Sequence, residues 1–504
     1  MNTLARDALE VLCLLRTLKN SFVPINQIPP EVLSLIPGYF DDGGGGGGDD
    51  VDQSIITLTH VCRGWRDMFT SRSSLWTRLD FTNVHKTRTY IQRSQSSPLE
   101  IYLESTVFLD DAFSLAIPHL RRLKSLTICA DALPDVLRHF RCQAPLLEEL
   151  DISVYHSHDS ILDRALFDRD LSSLRKLTLF RVTMHLPWNN MANLKVLNLI
   201  LCPPGHDITR LLNFFESAPL LHTVKLHDSL PDSSNAPAQR IVPLSYLKAL
   251  TINVSPSPSI LLNHLCIPTG ASLILKSLSG HENSPLPDCL PEAPANLKNL
   301  SHITTINLLF NLAEKSVRLS GPSGSLRVLV HWWHPEIDPY IMHRRILRSL
   351  GLFNLSTTTR LTISMYRHPA PAEAKESPVF RTLSSTNNLR TLTLIECDNL
   401  PFVLALNPEE NPSKLTLCPK MEELVLYIKL GDTFPITQLI GMAKNRVSRG
   451  AKLSSITIVG LDELALGRKL GKYVTDVKCR VDDAPPSWDH IPSESGDESS
   501  KFWG

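Results

Sequence analysis

Long uninterrupted apolar runs are missing from this chain of 504 residues, and no stretch of eighteen apolar residues offers a membrane-spanning helix. Excess charge of either sign is missing too. Lysine plus arginine number 51 and aspartate plus glutamate 51, whereas affinity for nucleic acid comes mainly from neutralised phosphates. No nucleic-acid partner and no membrane partner is therefore expected. The ten cysteines are scattered, without a Cys-x-x-Cys pair or a His-x-x-x-His partner, so neither a zinc site nor any other metal is expected. Val11-Leu12-Cys13-Leu14-Leu15 is too broken by Arg6, Asp7, Glu10 and Arg16 to read as a signal core. Reduced thiols and a cytoplasmic or nuclear location are the expectation. Gly-x-Ser-x-Gly, His-Glu-x-x-His, a dinucleotide fingerprint and the kinase signatures are all absent, and His281-Glu282 stops short of a zinc-protease motif. Nothing in the sequence favours an enzyme or a cofactor.

The composition that remains, 42% apolar and 20% charged, suits a soluble globular chain long enough for two or more structural units. Three short motifs stand near its start. The first is Ile28-Pro29-Pro30-Glu31-Val32-Leu33-Ser34-Leu35-Ile36. The second is Leu58-Thr59-His60-Val61-Cys62-Arg63-Gly64-Trp65, and the third is Ser74-Leu75-Trp76. Proline suits the first turn of a helix, where a missing N–H costs nothing, and Glu31 there complements the helix dipole. Leu58, Val61, Cys62 and Trp65 fall at i, i+3, i+4 and i+7, one face of a second helix. Between the first two motifs lie Asp41-Asp42, six glycines (Gly43 to Gly48) and Asp49-Asp50. Residues 41–52 read as a mobile insertion, because glycine is costly to order and the aspartates repel one another. No Lys-Ser/Thr pair follows the glycines, so they do not read as a phosphate loop.

With that insertion set aside, the three motifs resemble an F-box, and the chain is similar to F-box proteins of the fungal type. The resemblance is specific over about 27–81. It implies docking on a Skp-type adaptor, and through it on a cullin, in a ubiquitin ligase. Carried over from the family pattern, adaptor contacts would come from Ile28, Pro29, Val32, Leu33, Ile36, Val61, Cys62, Trp65, Leu75 and Trp76. Some of these must be intramolecular core, and the sequence does not sort them.

Ahead of the motifs, Leu4, Ala8, Val11, Leu15 and Leu18 recur at 4-3-4-3 spacing, which predicts an amphipathic helix within residues 1–22. Packing against the segment 23–82 is the favoured reading and self-association the alternative. Beyond that segment one phrase recurs: apolar, two residues, apolar, one residue, apolar. Copies are Leu123/Leu126/Ile128, Leu147/Leu150/Ile152, Leu174/Leu177/Leu179, Leu194/Leu197/Leu199, Leu221/Val224/Leu226 and Leu247/Leu250/Ile252. Further copies are Ile303/Ile306/Leu308, Leu389/Leu392/Leu394, Met421/Leu424/Leu426 and Leu453/Ile456/Ile458. Residues between the last two apolar positions are mostly polar, many of them threonine, as a strand with one solvated face requires. Helices are expected at Leu133/Val136/Leu137/Phe140 and Ile208/Leu211/Leu212/Phe215, before Ala144-Pro145 and Ala218-Pro219.

The phrase resembles the strand of a leucine-rich repeat, which implies stacked units forming a solenoid. Copies blur at 228–243 and 253–294, where an interrupted sheet or long loops are expected. Gly270 to Leu275, Leu326/Leu329 and Thr358/Leu361/Ile363 are degenerate. Cys202 and Cys397 sit where such repeats pack a turn, and His331-Trp332-Trp333-His334, His156 and His158 read as packing or exposed residues.

The expected fold is α/β: a small helical F-box (23–82), then an irregular leucine-rich-repeat-like solenoid of strand–helix units (95–480) and a disordered tail (481–504). The expected function is the substrate-recognition subunit of a Skp–cullin–F-box ubiquitin ligase, with catalysis by positioning alone. Its target, an unidentified protein, would meet the outward strand residues Glu149, Asp151, Lys176, Asn198, Lys225, Asn307 and Glu423, with Arg390 one residue off register. The alternative is a non-catalytic interaction scaffold that delivers nothing for ubiquitylation; a hydrolase or transferase would have to turn over substrate unaided.

Overall fold

The structure is a computed structural model. It describes residues 3–33, 35–39, 49–104, 110–131, 140–155, 166–182, 191–202, 208–230, 240–254, 258–279, 296–300, 303–311, 316–320, 326–332, 347, 350, 355–365, 378–410, 414–428, 434–460 and 464–480. It is a mixed α/β protein with mostly parallel strands, divided into compact units 1–194 and 195–504.

The first unit opens with helices α1 (Thr3–Ser21), α2 (Pro30–Leu33), α3 (Asp49–Thr59), α4 (Arg63–Ser71) and α5 (Val84–Ser94). Helix α3 begins inside the range 41–52 assigned to the insertion. Its described backbone starts at Asp49. The glycines 43–48 lie outside the described residues. Helix α5, which the sequence assigned to neither segment, is capped by Asn83, whose Oδ1 accepts from the His85 and Lys86 amides at 2.8 and 3.1 Å.

Five parallel strands complete this unit: β1 (Arg78–Leu79), β2 (Leu99–Glu104), β3 (Leu123–Ala130), β4 (Glu149–Val154) and β5 (Lys176–Phe180). Strand β2 alternates buried Leu99, Ile101 and Leu103 with exposed Glu100, Tyr102 and Glu104. It extends the array one strand before the first full phrase. Behind the strands Phe81, Phe113, Phe140 and Phe167 form a file of rings with centroids 5.1, 5.6 and 5.9 Å apart, all fully buried. Each such pair adds about 0.5–1.5 kcal/mol beyond its buried area.

The second unit runs β6 (Val196–Ile200), helix Ile208–Ser217, β7 (Thr223–His227), β8 (Val242–Pro243), β9 (Ala249–Val254), β10 (Leu265–Cys266) and β11 (Ser272–Ser279). It continues with β12 (Thr305–Asn311), β13 (Ser316–Ser320), β14 (Leu326–Trp332), β15 (Arg360–Ser364), β16 (Thr391–Ile395), β17 (Glu423–Tyr427), β18 (Ser455–Val459) and β19 (Asp476–Arg480). Strands β6, β7, β9, β11 and β14 are parallel neighbours, as are β12 and β15 to β19. Strand β13 lies antiparallel between β14 and β12, so β11 pairs with β14 and not with the next strand in sequence. This folded-back ribbon lies after the blurred stretches, whose described residues hold β8, β10 and β11, with β11 paired to β9 on one side and β14 on the other.

All ten copies of the phrase are buried at their three apolar positions. Residues between the last two, such as Thr127, Asp151, Thr178, Thr251 and Thr393, are partly exposed. Helix Ile208–Ser217 buries the predicted Ile208, Leu211, Leu212 and Phe215. The other predicted helix, 133–140, lies outside the described residues apart from Phe140, as do 481–504.

A turn the sequence did not announce closes many of the strands. Arg181, Leu201, Asp228, Met365, Glu396 and Gly460 each directly follow a strand and have positive φ. The amides of Leu201, Asp228, Met365, Glu396 and Gly460 donate to the carbonyl of the last or penultimate residue of the paired neighbouring strand, at 2.7–2.9 Å. That bond holds four non-glycine residues in a left-handed conformation costing about 1–2 kcal/mol each. The residue after the turn is buried, as Val182, Cys202, Ser229 and Cys397 show. The Cys397 thiol donates to Ile363 and Ile395 carbonyls, so both predicted turn-packing cysteines lie where expected.

Candidate functional site

The motif residues near the start separate into an inner and an outer set. Leu33, Leu58, Trp65 and Phe69 form a buried cluster, with Ile36, Cys62, Met68 and Leu75 packed against it partly exposed. Phe69 and Trp65 meet edge-on at 5.7 Å. Trp76 is buried, its Nε1 donating to the Phe69 carbonyl at 3.0 Å and its ring edge-on to Tyr90 at 5.0 Å. Trp65, Leu33 and Trp76 are thus core and cannot present a surface.

The outer set is Ile28, Pro29, Val32 and Val61, all exposed, Val32 by 51% and Val61 by 53%. Leu35, absent from the predicted contacts, is 58% exposed and belongs with them. Its place one turn after Val32 was the signal available. Trp65 Nε1 donates to Asn26 Oδ1 at 2.7 Å, and Asn26 Nδ2 donates to the Asn20 carbonyl at 2.8 Å. This relay ties the end of α1 to the core cluster, yet residues 5–19 of α1 are all exposed. The expected packing of α1 along the segment 23–82 is not found. Among the described residues its tie to that segment is the polar relay at its last turn.

The predicted strand-face residues fall in both units, Glu149, Asp151 and Lys176 in the first and the others in the second. Glu149, Asp151 and Lys176 share neighbouring strands β4 and β5, with Lys176 Nζ 3.7 Å from Glu149. Asn198 and Lys225 are register partners in the second unit. Asn307 on β12 pairs in register with Thr362, and Glu423 on β17 accepts from Thr391 Oγ1 at 3.3 Å. Arg390 lies just before β16, 3.8 Å from Glu422.

Sequence reasoning missed a group in the first unit. Cys129 on β3 is hydrogen-bonded to the hydroxyls of Tyr102 and Tyr155. Burial, with the neighbouring Asp151 and Glu104, raises its thiol above the ordinary range. Burial and the same thiol raise Tyr102, and push Tyr155 up to about 12. All three stay protonated at neutral pH, and a protonated thiol is a poor nucleophile. The period-2 alternation of β2 was the signal that could have placed Tyr102.

Among the described residues no group of three His, Cys, Asp or Glu could hold a metal, and no helix is long and apolar enough to cross a membrane. His156, His158, Trp333 and His334 lie outside the described residues; His331 and Trp332 belong to β14. No family model matches the chain, and no curated protein matches it either.

Proposed function

We propose that this chain is an F-box substrate receptor: residues 23–82 dock a Skp-type adaptor, which brings a cullin, and the strand array, read as a leucine-rich-repeat-like solenoid, holds a target protein. The observation that carries the reading is the division of the motif residues. Leu33, Leu58, Trp65 and Phe69 close a small core, while Ile28, Val32, Leu35 and Val61 stay exposed. Apolar side chains kept outside a core that has room for their neighbours mark a protein-binding surface. The array supports the second half, since stacked parallel strands offer an extended row of partly exposed polar side chains. Tyr102, Tyr155, Glu104 and Asp151 lie on that row. Chemistry would reside in partner subunits, and this chain would act by positioning.

The test is co-purification of the full chain with a Skp-type adaptor and a cullin. Val32→Asp with Val61→Asp should abolish adaptor capture and leave the circular dichroism spectrum unchanged. Capture at wild-type level by that variant would overturn the docking. Adaptor capture without a cullin would favour the scaffold reading instead.

A further inference from the structure

Helix α1 holds an apolar seam that no other described residue covers. Val11, Leu15 and Leu18 are exposed, Leu15 by 58%, and Leu12 and Leu14 widen the strip on either side. Nineteen residues span about 28 Å, and the 4-3-4-3 spacing matches the core positions of a coiled coil. We propose that α1 pairs antiparallel with α1 of a second copy of this chain, independently of any adaptor.

Two observations select that occupant and that direction. The first half of the helix carries Arg6, Asp7 and Glu10, a net charge of −1 with Arg6 4.0 Å from Asp7, and the second half carries the basic Arg16 and Lys19, a net charge of +2. Two antiparallel copies place the acidic half of each beside the basic half of the other, with opposed dipoles; two parallel copies place like upon like. The relay Asn20–Asn26–Trp65 fixes the last turn of α1 to the body. In an antiparallel pair the two bodies stand at opposite ends of the seam, whereas a parallel pair would crowd both at one end. A membrane surface fits less well, since the polar arc mixes both signs and lacks a basic band.

A seam of this length is short, so a dissociation constant on the order of 10 μM is expected. Light scattering of the full chain from about 1 to about 100 μM should record a monomer–dimer equilibrium. Leu15→Glu should leave a monomer with an unchanged circular dichroism spectrum. Asp7→Lys with Glu10→Lys should weaken pairing about tenfold. Adding Arg16→Glu and Lys19→Glu to that chain should restore it. Mixed with wild type, the four-fold variant should self-sort, because antiparallel mixed pairs oppose like charges. Preferential mixed pairing would overturn the antiparallel geometry. A monomer at all concentrations would overturn the proposal, as would dimers indifferent to Leu15→Glu. Loss of adaptor capture or of vesicle flotation by Leu15→Glu in a chain that never dimerises would assign the seam to the adaptor or to lipid.

Discussion

Replacing Arg446 by methionine should destabilise the second unit by about 3–5 kcal/mol. Arg446 is fully buried near the end of helix Ile436–Ser448, and its guanidinium donates to three carbonyls: Leu417 at 2.8 Å, Cys418 at 2.9 Å and Ala451 at 3.2 Å. Burial lowers its pKa, with the neighbouring Cys418 acting the other way. No ion pair to it is seen among the described residues, so the charge is compensated by peptide dipoles. Methionine keeps much of the volume, which makes the cavity contribution small, but it offers no donor. Three buried carbonyls then lose their partner at about 1 kcal/mol or more each, and relief of the guanidinium's own desolvation offsets only part. Hydrogen exchange is the suitable assay, because it reads the loss locally. The amides of Met421, bonded to Cys418 O at 3.0 Å, and of Ala451, bonded to Arg446 O at 2.9 Å, should lose most protection. Wild-type protection at both amides, with an unchanged urea midpoint, would refute the reasoning.

Leu33→Ala should cost about 2–5 kcal/mol in a urea titration and reduce adaptor capture only through unfolding, whereas exposed Val32→Ala should leave the midpoint within about 0.5 kcal/mol. Equal stability losses would contradict the division into core and surface. Burial raises the Asp80 carboxyl, but hydrogen bonds from Lys86 and Thr82 outweigh it and leave the pKa below 3.8. Its contribution is therefore present above the unfolded value and lost as pH falls through the folded one. The stability gap between wild type and Asp80→Asn should stay level near neutral pH and shrink in strong acid; a gap unchanged down to full protonation would refute the coupling. At the strand-end turns the two directions of change should differ in sign. Gly460 has φ +93° and a Cβ there would lie 2.3 Å from the Ile428 carbonyl oxygen, so Gly460→Ala should lower the melting temperature. Exposed Met365 at φ +57° should accept glycine at no cost or with a gain of up to about 1 kcal/mol. A loss in Met365→Gly as large as in Gly460→Ala would contradict the strain assigned to the turn.

The strands were legible because burial on one face forces a period of two, and Leu150/Ile152 or Leu392/Leu394 carries that period within a strand of five or six residues. Strand β2 lacks the apolar residue three positions ahead that marks the full phrase, although Leu99/Ile101/Leu103 show the same alternation. Pairing partners were not legible. Nothing in Ser316–Ser320 says that it runs antiparallel or that β11 seeks β14, since pairing is decided by tertiary competition among similar strands. The left-handed turns were hidden for a related reason: Arg181, Leu201 and Met365 are not residues that favour positive φ, and a neighbouring strand imposes it. At the candidate adaptor surface the residue types were legible, and their sides were not. Val32 and Leu33 are adjacent and equally apolar, and only the packed helices decide which is inside.

The ribbon β12–β13–β14 has a consequence for how this chain can be cut. An array in which every strand pairs with its successor can be shortened after any turn and still present one finished edge. Here β11 waits for a partner that begins 47 positions after its own end, at Leu326, and β12 reaches forward to β15 across both hairpins. Truncating anywhere between 280 and 325 strips β11 of its neighbour and leaves a naked row of amides and carbonyls, a template for aggregation. Fragments for expression should therefore end well before β11 or run past β15, and a nascent chain holds that edge open until β14 has emerged.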